Sequence, residues 1–183
     1  MVVPAVRAAV ERTKNGRIGL IGTAASIRSG AYEREIAALD PGIQVFAKAC
    51  PLFVPLVENG RFRPGDQVVE LVAGEYLGAV REQGVDTLVL GCTHYPLLAD
   101  VIRETMAPGT VLIDTGAACA QTVAEDLKGR DALAGREHGG CRYFVSDSTA
   151  DFTKLASVFL GEAVTEPVER VAIEGYSAET PAR

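Results

Sequence analysis

The most informative stretch of this chain is Leu88-Val-Leu-Gly-Cys92-Thr-His94-Tyr-Pro-Leu-Leu98. Apolar residues 85–90 predict a strand that is covered on both faces, and Tyr95-Pro96 predicts the first turn of a helix. The tripeptide Cys92-Thr-His94 is therefore expected at the carboxyl end of a parallel strand, where open α/β sheets bind ligands. A cysteine that faces a helix N-terminus and has an imidazole nearby is expected to be a thiolate.

Short apolar strands alternate with helical patterns along the whole chain. This alternation predicts an α/β fold with doubly wound parallel sheets. The strands are expected at residues 17–21, 43–47, 85–90, 111–114, 141–146 and 168–173. The main helices are expected at residues 3–14, 32–39, 64–83, 97–106, 115–127 and 149–160.

Composition restricts the class of protein. The chain has 183 residues, 48% of them hydrophobic, and a net charge of −6. There is no basic surface pattern that would favour nucleic acid, and no apolar run approaches the length of a membrane span. Since the first residues also lack the apolar core of a signal peptide, the cytoplasm is the expected location.

The four cysteines stand at positions 50, 92, 119 and 141 and show no C-x-x-C spacing. This spacing makes a zinc site or a redox pair unexpected. A secreted disulfide scaffold would be shorter and richer in cysteine. The thiols are therefore expected to stay reduced, and no metal is implied.

Two further segments have an unusual composition. The run from Cys50 to Gly60 is apolar, contains two prolines and carries one carboxylate, Glu58. That carboxylate is either a solvated helix end or a group held at the mouth of a pocket. The run Gly22-Thr23-Ala-Ala-Ser26-Ile-Arg-Ser29 reads as a ligand-side loop, with Ser26 or Ser29 as the N-cap of the next helix.

These three segments together resemble the glutamate racemases of the aspartate/glutamate racemase superfamily. The stretch from Gly91 to Leu98 is similar to the second signature of that family, and the segments around Glu58 and Thr23 resemble two further motifs in the same order. The resemblance extends from about Val3 to Glu174.

The resemblance implies a set of site residues. Cys92 would be the second of two catalytic cysteines, with His94 beside it, and Glu58 would be the carboxylate that assists on the same side. At the position of Ser26 the family often has threonine, which keeps the hydroxyl. The residues implied to contact substrate are Thr93, His94, Thr23 and Ser26. The remaining cysteines, Cys50, Cys119 and Cys141, match no catalytic position, and His138 is expected to be exposed.

The implied activity is the cofactor-independent interconversion of L- and D-glutamate, which supplies D-glutamate for peptidoglycan. Inversion at the α-carbon needs a base on one face and an acid on the other. No lysine stands in a context that suits a pyridoxal cofactor, so none is expected. The implied partner is the small molecule glutamate, and any assembly is expected to be a homodimer.

The chain also departs from the family pattern. An Asp-Ser-Gly strand end and a Cys-Asn-Thr motif, which holds the first catalytic cysteine, do not occur in the sequence. We therefore expect a two-domain racemase architecture with an incomplete first domain. Residues 1–112 would be the second domain, residues 113–176 the returning part of the first, and residues 177–183 a frayed tail. Alone, such a chain is expected not to racemise glutamate.

Two other functions remain open from the sequence. The first is that of a non-catalytic remnant that binds a ligand or a partner. The second is that of an enzyme similar to an aspartate racemase. The segment that contains Glu58 favours glutamate over aspartate.

Overall fold

The computed structural model describes residues 1–135 and 139–173. The chain divides into two compact units, residues 1–133 and 134–183. The elements of the first unit are α1 (Val2–Arg12), β1 (Arg17–Gly22), α2 (Ala24–Ser29), α3 (Ala31–Leu39), β2 (Gln44–Ala49), α4 (Phe53–Glu58), α5 (Gln67–Glu82), β3 (Thr87–Gly91), a 3-10 helix (Tyr95–Leu98), α6 (Ala99–Thr105), β4 (Val111–Asp114) and α7 (Thr115–Gly129).

A parallel sheet with the strand order β2-β1-β3-β4 forms the centre of the first unit. Between β1 and β3, the pairing runs in register from Ile18 opposite Thr87 to Gly22 opposite Gly91. The predicted α/β fold with a parallel sheet is confirmed. Because the two central strands end side by side, the loops that follow them leave the sheet at the same edge.

Helices cover both faces of this sheet. Ile18 and Leu20 are fully buried in one core cluster with residues of α1 and α3. A side chain at position 19 would point to the opposite face of the sheet, because side chains alternate along a strand. A Cβ placed on Gly19 would lie 2.7 Å from Leu88 Cδ1 and 2.9 Å from Val80 Cγ1 of α5. The absence of a side chain at Gly19 therefore lets α5 pack closely on the second face.

The carboxylate of Asp86 joins the start of β3 to the loop between α1 and β1. Its oxygens accept hydrogen bonds from Thr13 Oγ1 at 2.7 Å, from the Lys14 and Asn15 backbone N–H groups at 2.7 and 2.8 Å, and from Thr87 Oγ1 at 3.0 Å. Burial raises the pKa of Asp86, but these hydrogen bonds lower it more, so that the pKa lies below its ordinary value.

We expect Asp86→Ala to lower the free energy of unfolding by about 2 kcal/mol, because several hydrogen bonds to a charged group are lost together. Asp100→Ala is the matched control, since the Asp100 carboxylate is 73% exposed and pairs with Arg103 on the surface. Its effect should stay within about 0.5 kcal/mol. Urea unfolding measures both variants.

The pH dependence of the free energy of unfolding gives a second test of the Asp86 hydrogen bonds. A lowered pKa in the folded state stabilises the protein above the ordinary pKa of aspartate, and this stabilisation is lost as the pH falls. The stability difference between the natural chain and Asp86→Ala should therefore shrink as the pH falls below about 4. A difference that stays constant with pH would contradict the role assigned to the Asp86 charge.

The start of the helix after β1 differs from the sequence-based prediction. Thr23 is the N-cap of α2, and its Oγ1 accepts a hydrogen bond from the Ser26 backbone N–H at 3.2 Å. The prediction that Ser26 or Ser29 takes this role is wrong, because the helix begins directly after Thr23. Gly30, with φ of 60°, then ends α2 and separates it from α3.

The second unit contains β5 (Tyr143–Val145), α8 (Thr149–Leu160) and β6 (Val168–Arg170). The two strands pair in parallel, and the rings of Tyr143 and Phe152 lie 6.0 Å apart. Both strands are shorter than predicted, whereas α8 has the predicted bounds. His138 and residues 177–183 lie outside the described residues, and the domain division at residue 112 stays a prediction.

Candidate active site

The end of β3 lies very close to β1. A Cβ placed on Gly91 would lie 2.8 Å from the carbonyl oxygen of Ile21. On the other side, the buried Thr115 donates a hydrogen bond from Oγ1 to the carbonyl oxygen of Leu90 at 3.2 Å. The backbone that leads into Cys92 is therefore held by β1 on one side and by the first residue of α7 on the other.

Beyond Gly91, four side chains form a connected chain of polar contacts. Cys92 Sγ lies 3.9 Å from His94 Nδ1, and Thr93 Oγ1 lies 3.5 Å from the same nitrogen. The other ring nitrogen, His94 Nε2, lies 3.1 Å from Glu58 Oε1 at the end of α4. The imidazole of His94 thus lies between a thiol and a carboxylate, an arrangement that can pass a proton between them.

Glu58 lies at a partly solvated helix end, which is one of the two alternatives that its sequence position left open, and its place at the mouth of a pocket stays a prediction. Its side chain is 45% exposed, whereas that of His94 is only 19% exposed. The carboxylate is partly solvated, and it also has a defined partner in the loop that follows β3.

The loop after β1 and the start of α2 bring two hydroxyl groups to the same edge of the sheet. Thr23 Oγ1 and Ser26 Oγ lie 3.0 Å apart. Because Gly22 pairs with Gly91, this loop begins beside the one that carries Cys92. The hydroxyls of Thr23 and Ser26 are suited to binding a polar ligand, and this role stays a prediction.

The thiol of Cys92 differs from the sequence-based expectation. Burial raises the pKa of Cys92, the backbone N–H of His94 lowers it, and the negative charge of Glu58 raises it, so that the net pKa lies above the ordinary value. The expectation of a thiolate in the free site is wrong. Burial of the thiol and the negative charge of Glu58 both oppose its ionisation, and the helix that follows begins as a 3-10 turn of only four residues.

The other three cysteines have different surroundings. Cys50 is fully buried directly after β2, and burial raises the pKa of its thiol to about 12, although the charge of Lys48 lowers it. Cys119 is partly buried in α7, and Cys141 is exposed in the second unit. Within the first unit, Cys92 is therefore the thiol that is placed beside an imidazole.

Two tyrosines near Cys92 were not identified as site residues from the sequence. Tyr32 is 6% exposed, and its Cε2 would lie 3.6 Å from a Cβ placed on Gly91. Burial raises the pKa of Tyr32, and the charge of Cys92 raises it further. Tyr95 is fully buried directly after His94. Their positions in the sequence indicate only helical packing, so no feature of the sequence identifies them as site residues.

We expect Glu58→Gln to lower the pKa of Cys92, because the substitution removes a negative charge that opposes thiolate formation. At pH 8, alkylation of Cys92 by iodoacetamide should become roughly twofold faster. Glu82→Gln is the matched control, since Glu82 is exposed in the last turn of α5. Peptide mapping by mass spectrometry follows Cys92 alone, and an unchanged or slower rate would contradict the electrostatic role of Glu58.

No group of three or more histidine, cysteine, aspartate and glutamate side chains that could hold a metal ion occurs in residues 1–135 and 139–173. Within the same ranges, no helix has the length and apolar character that crossing a bilayer requires.

Comparison with known proteins assigns this sequence to a family. The sequence profile of the family described as Asp/Glu/Hydantoin racemase matches residues 1–123. The chain belongs to this family. The matched residues contain the whole parallel sheet of the first unit and the three segments that carry Thr23, Glu58 and Cys92.

Individual members of the family agree with this assignment. A glutamate racemase of Geobacter metallireducens is 45% identical over 175 residues, which cover 95% of this chain and 64% of the relative. The crystal structure of a glutamate racemase isoform from Bacillus anthracis superposes with a TM-score of 0.85 at 32% identity and covers 94% of this chain and 63% of that one. The glutamate racemase of Francisella tularensis in complex with D-glutamate gives a TM-score of 0.84 at 30% identity, over 96% of this chain and 64% of that one.

This chain thus spans about 64% of the length of the curated relatives that it matches.

Proposed function

We propose that this chain provides one side of a glutamate racemase site, with Cys92 as the group that exchanges a proton with the α-carbon. The contact series from Cys92 through His94 to Glu58 at the carboxyl edge of the sheet carries this proposal. It is supported by the glutamate racemases among the relatives, one of which is described in complex with D-glutamate.

The proposed step transfers only protons. A base on the opposite face of the α-carbon removes the α-proton, and the thiol of Cys92 delivers its own proton to the carbanion and becomes a thiolate. The raised pKa of Cys92 keeps the thiol protonated at neutral pH, which is the state that a proton donor needs.

In the reverse direction, Cys92 has to act as the base. His94 Nδ1 lies 3.9 Å from Sγ and is the ring nitrogen that can manage the proton of the thiol, and Glu58 orients the imidazole through Nε2. When the imidazole gains a proton, the carboxylate of Glu58 compensates the new charge. We therefore assign His94 and Glu58 to proton transfer during the reaction.

Substrate binding is assigned to the hydroxyls at the same edge. Thr23, Ser26 and Thr93 provide donors and acceptors for the ammonium and carboxylate groups of glutamate. By extension from the family, the product D-glutamate would serve peptidoglycan synthesis in the cytoplasm, and the enzyme would act as a homodimer.

The experiment uses a hybrid in which this chain replaces the matching residues of the Geobacter metallireducens enzyme. We expect the hybrid to racemise L-glutamate at least roughly tenfold faster than L-aspartate, measured by the loss of circular dichroism. A folded hybrid that racemises neither amino acid would contradict the proposal and favour a binding role. A hybrid that prefers aspartate would favour the aspartate racemase alternative.

The 183-residue chain alone is the companion sample. Inversion by two thiols needs one on each face of the α-carbon, and in the first unit Cys50 is fully buried while Cys119 lies in α7. We expect no racemisation of glutamate by this chain over several hours. Racemisation that disappears in a Cys92→Ser variant would show that the chain provides both acid and base.

A further inference from the structure

Tyr95 links the loop that carries the candidate proton-transfer residues to the segment that leads into α4. Its side chain is fully buried, and its hydroxyl donates a hydrogen bond to the carbonyl oxygen of Cys50 at 2.9 Å. The same carbonyl accepts a hydrogen bond from the Phe53 backbone N–H at 3.2 Å, where α4 begins. Tyr95 thus contacts the backbone that sets the start of α4.

The ring of Tyr95 makes a second contact with the same segment. Its centroid lies 5.3 Å from that of Phe53, with an angle of 90° between the ring planes. Phe53 is fully buried and also meets Tyr76 of α5 edge-on at 5.4 Å. Such edge-to-face pairs have a defined geometry, so α4 is held against the 3-10 helix by ring packing as well as by the hydrogen bond.

Two residues of the candidate site depend on this arrangement. His94 directly precedes Tyr95, and Glu58 is the last residue of α4. Their contact of 3.1 Å joins the same two segments that Tyr95 and Phe53 hold together in the core. A displacement of α4 by about 1 Å would take this contact out of hydrogen-bond range.

We propose that Tyr95 is a positioning residue, whose hydroxyl bond to the backbone of Cys50 and ring contact with Phe53 hold Glu58 within hydrogen-bond distance of His94. The catalytic meaning of this role rests on the proposed racemase function. The positioning itself concerns only the free chain and is testable without substrate.

The negative charge of Glu58 affects the pKa of Cys92, so the reactivity of the Cys92 thiol reports the position of Glu58. In the natural chain, burial and Glu58 both raise the pKa of Cys92, and the backbone N–H of His94 lowers it. The other titratable groups facing this thiol are His94 and the buried tyrosines Tyr32 and Tyr95. If α4 is released, the influence of Glu58 weakens and Cys92 ionises at lower pH.

The test is the rate of Cys92 alkylation by iodoacetamide as a function of pH, resolved by peptide mapping of the 183-residue chain. We expect Tyr95→Phe to shift the profile towards lower pH, giving a roughly twofold faster reaction at pH 8. Tyr76→Phe is the matched control, because Tyr76 also packs edge-on against Phe53 and should leave the profile unchanged.

A double variant separates positioning from a direct effect of the lost hydroxyl. Tyr95→Phe should add no further shift when Glu58→Gln is already present, because the charge whose position it controls is gone. An additive shift, or an unchanged profile in a folded Tyr95→Phe chain, would overturn the proposal. Phe53→Leu keeps the hydroxyl bond but removes the ring contact, and should shift the profile in the same direction.

The hybrid enzyme then links positioning to catalysis. Tyr95→Phe should lower kcat severalfold with little change in KM, since the substitution affects proton transfer and leaves in place the protein hydroxyls that are proposed to bind the substrate. A shift of the alkylation profile without any loss of kcat would support positioning of Glu58 while contradicting the role of Glu58 in the proposed function.

Discussion

Replacing Cys92 with serine in the hybrid enzyme should lower the rate of racemisation roughly a thousandfold in both directions, with glutamate as substrate. A serine hydroxyl is far less acidic than a thiol, so it neither delivers a proton to the α-carbon at a useful rate nor returns as an effective base. The loss should appear in kcat, because the role proposed for Cys92 is in the transition state.

Cys119→Ser provides the control for this substitution. Cys119 is a partly buried cysteine of α7, remote in sequence from the motifs of the site. We expect its racemisation rate to stay within about twofold of the unmodified hybrid. If Cys92→Ser retains more than about a tenth of the activity, Cys92 is not the acid and base of the reaction.

Gly91→Ala should lower the free energy of unfolding of the 183-residue chain by about 2–3 kcal/mol. The new Cβ would lie 2.8 Å from the carbonyl oxygen of Ile21, and this neighbour is backbone in a paired strand, so it cannot move aside as a side chain does. Relief requires β3 to shift against β1, which also moves Cys92. Urea unfolding measures the first effect, and alkylation of Cys92 detects the second.

Gly74→Ala is the matched glycine control. Gly74 lies in the middle of α5, and a Cβ there would have no atom within 4 Å. The substitution should stabilise the chain by about 0.5–1 kcal/mol, because alanine loses less backbone entropy in a helix. Equal effects of the two substitutions would contradict the close approach of β3 to β1.

The strands were predictable from the sequence because their apolar composition is local information. The run from residue 85 to residue 90 indicated a strand covered on both faces, and the structure has β3 at Thr87–Gly91 between two strands. Since β3 is parallel to its neighbours, the position of the Cys92 loop at the carboxyl edge of the sheet followed from that prediction.

The ionisation of Cys92 was not predictable in the same way. It depends on how deeply the thiol is buried and on Glu58, which approaches from a separate segment. The sequence places a histidine beside the cysteine but does not show that a carboxylate lies on the other side of the imidazole. The hydrogen bond from Tyr95 to Cys50 was missed for the same reason, because it joins residues that are distant along the chain.

The strand order also governs when the site can form during synthesis of the chain. The central strand β1 is made before its partner β3, which follows only after β2, α4 and α5. Until residues 87–91 leave the ribosome, one edge of β1 has unpaired N–H and C=O groups that can pair with another chain. Cys92 directly follows the strand that closes this edge. A nascent chain therefore acquires its candidate acid only as this edge of β1 becomes paired.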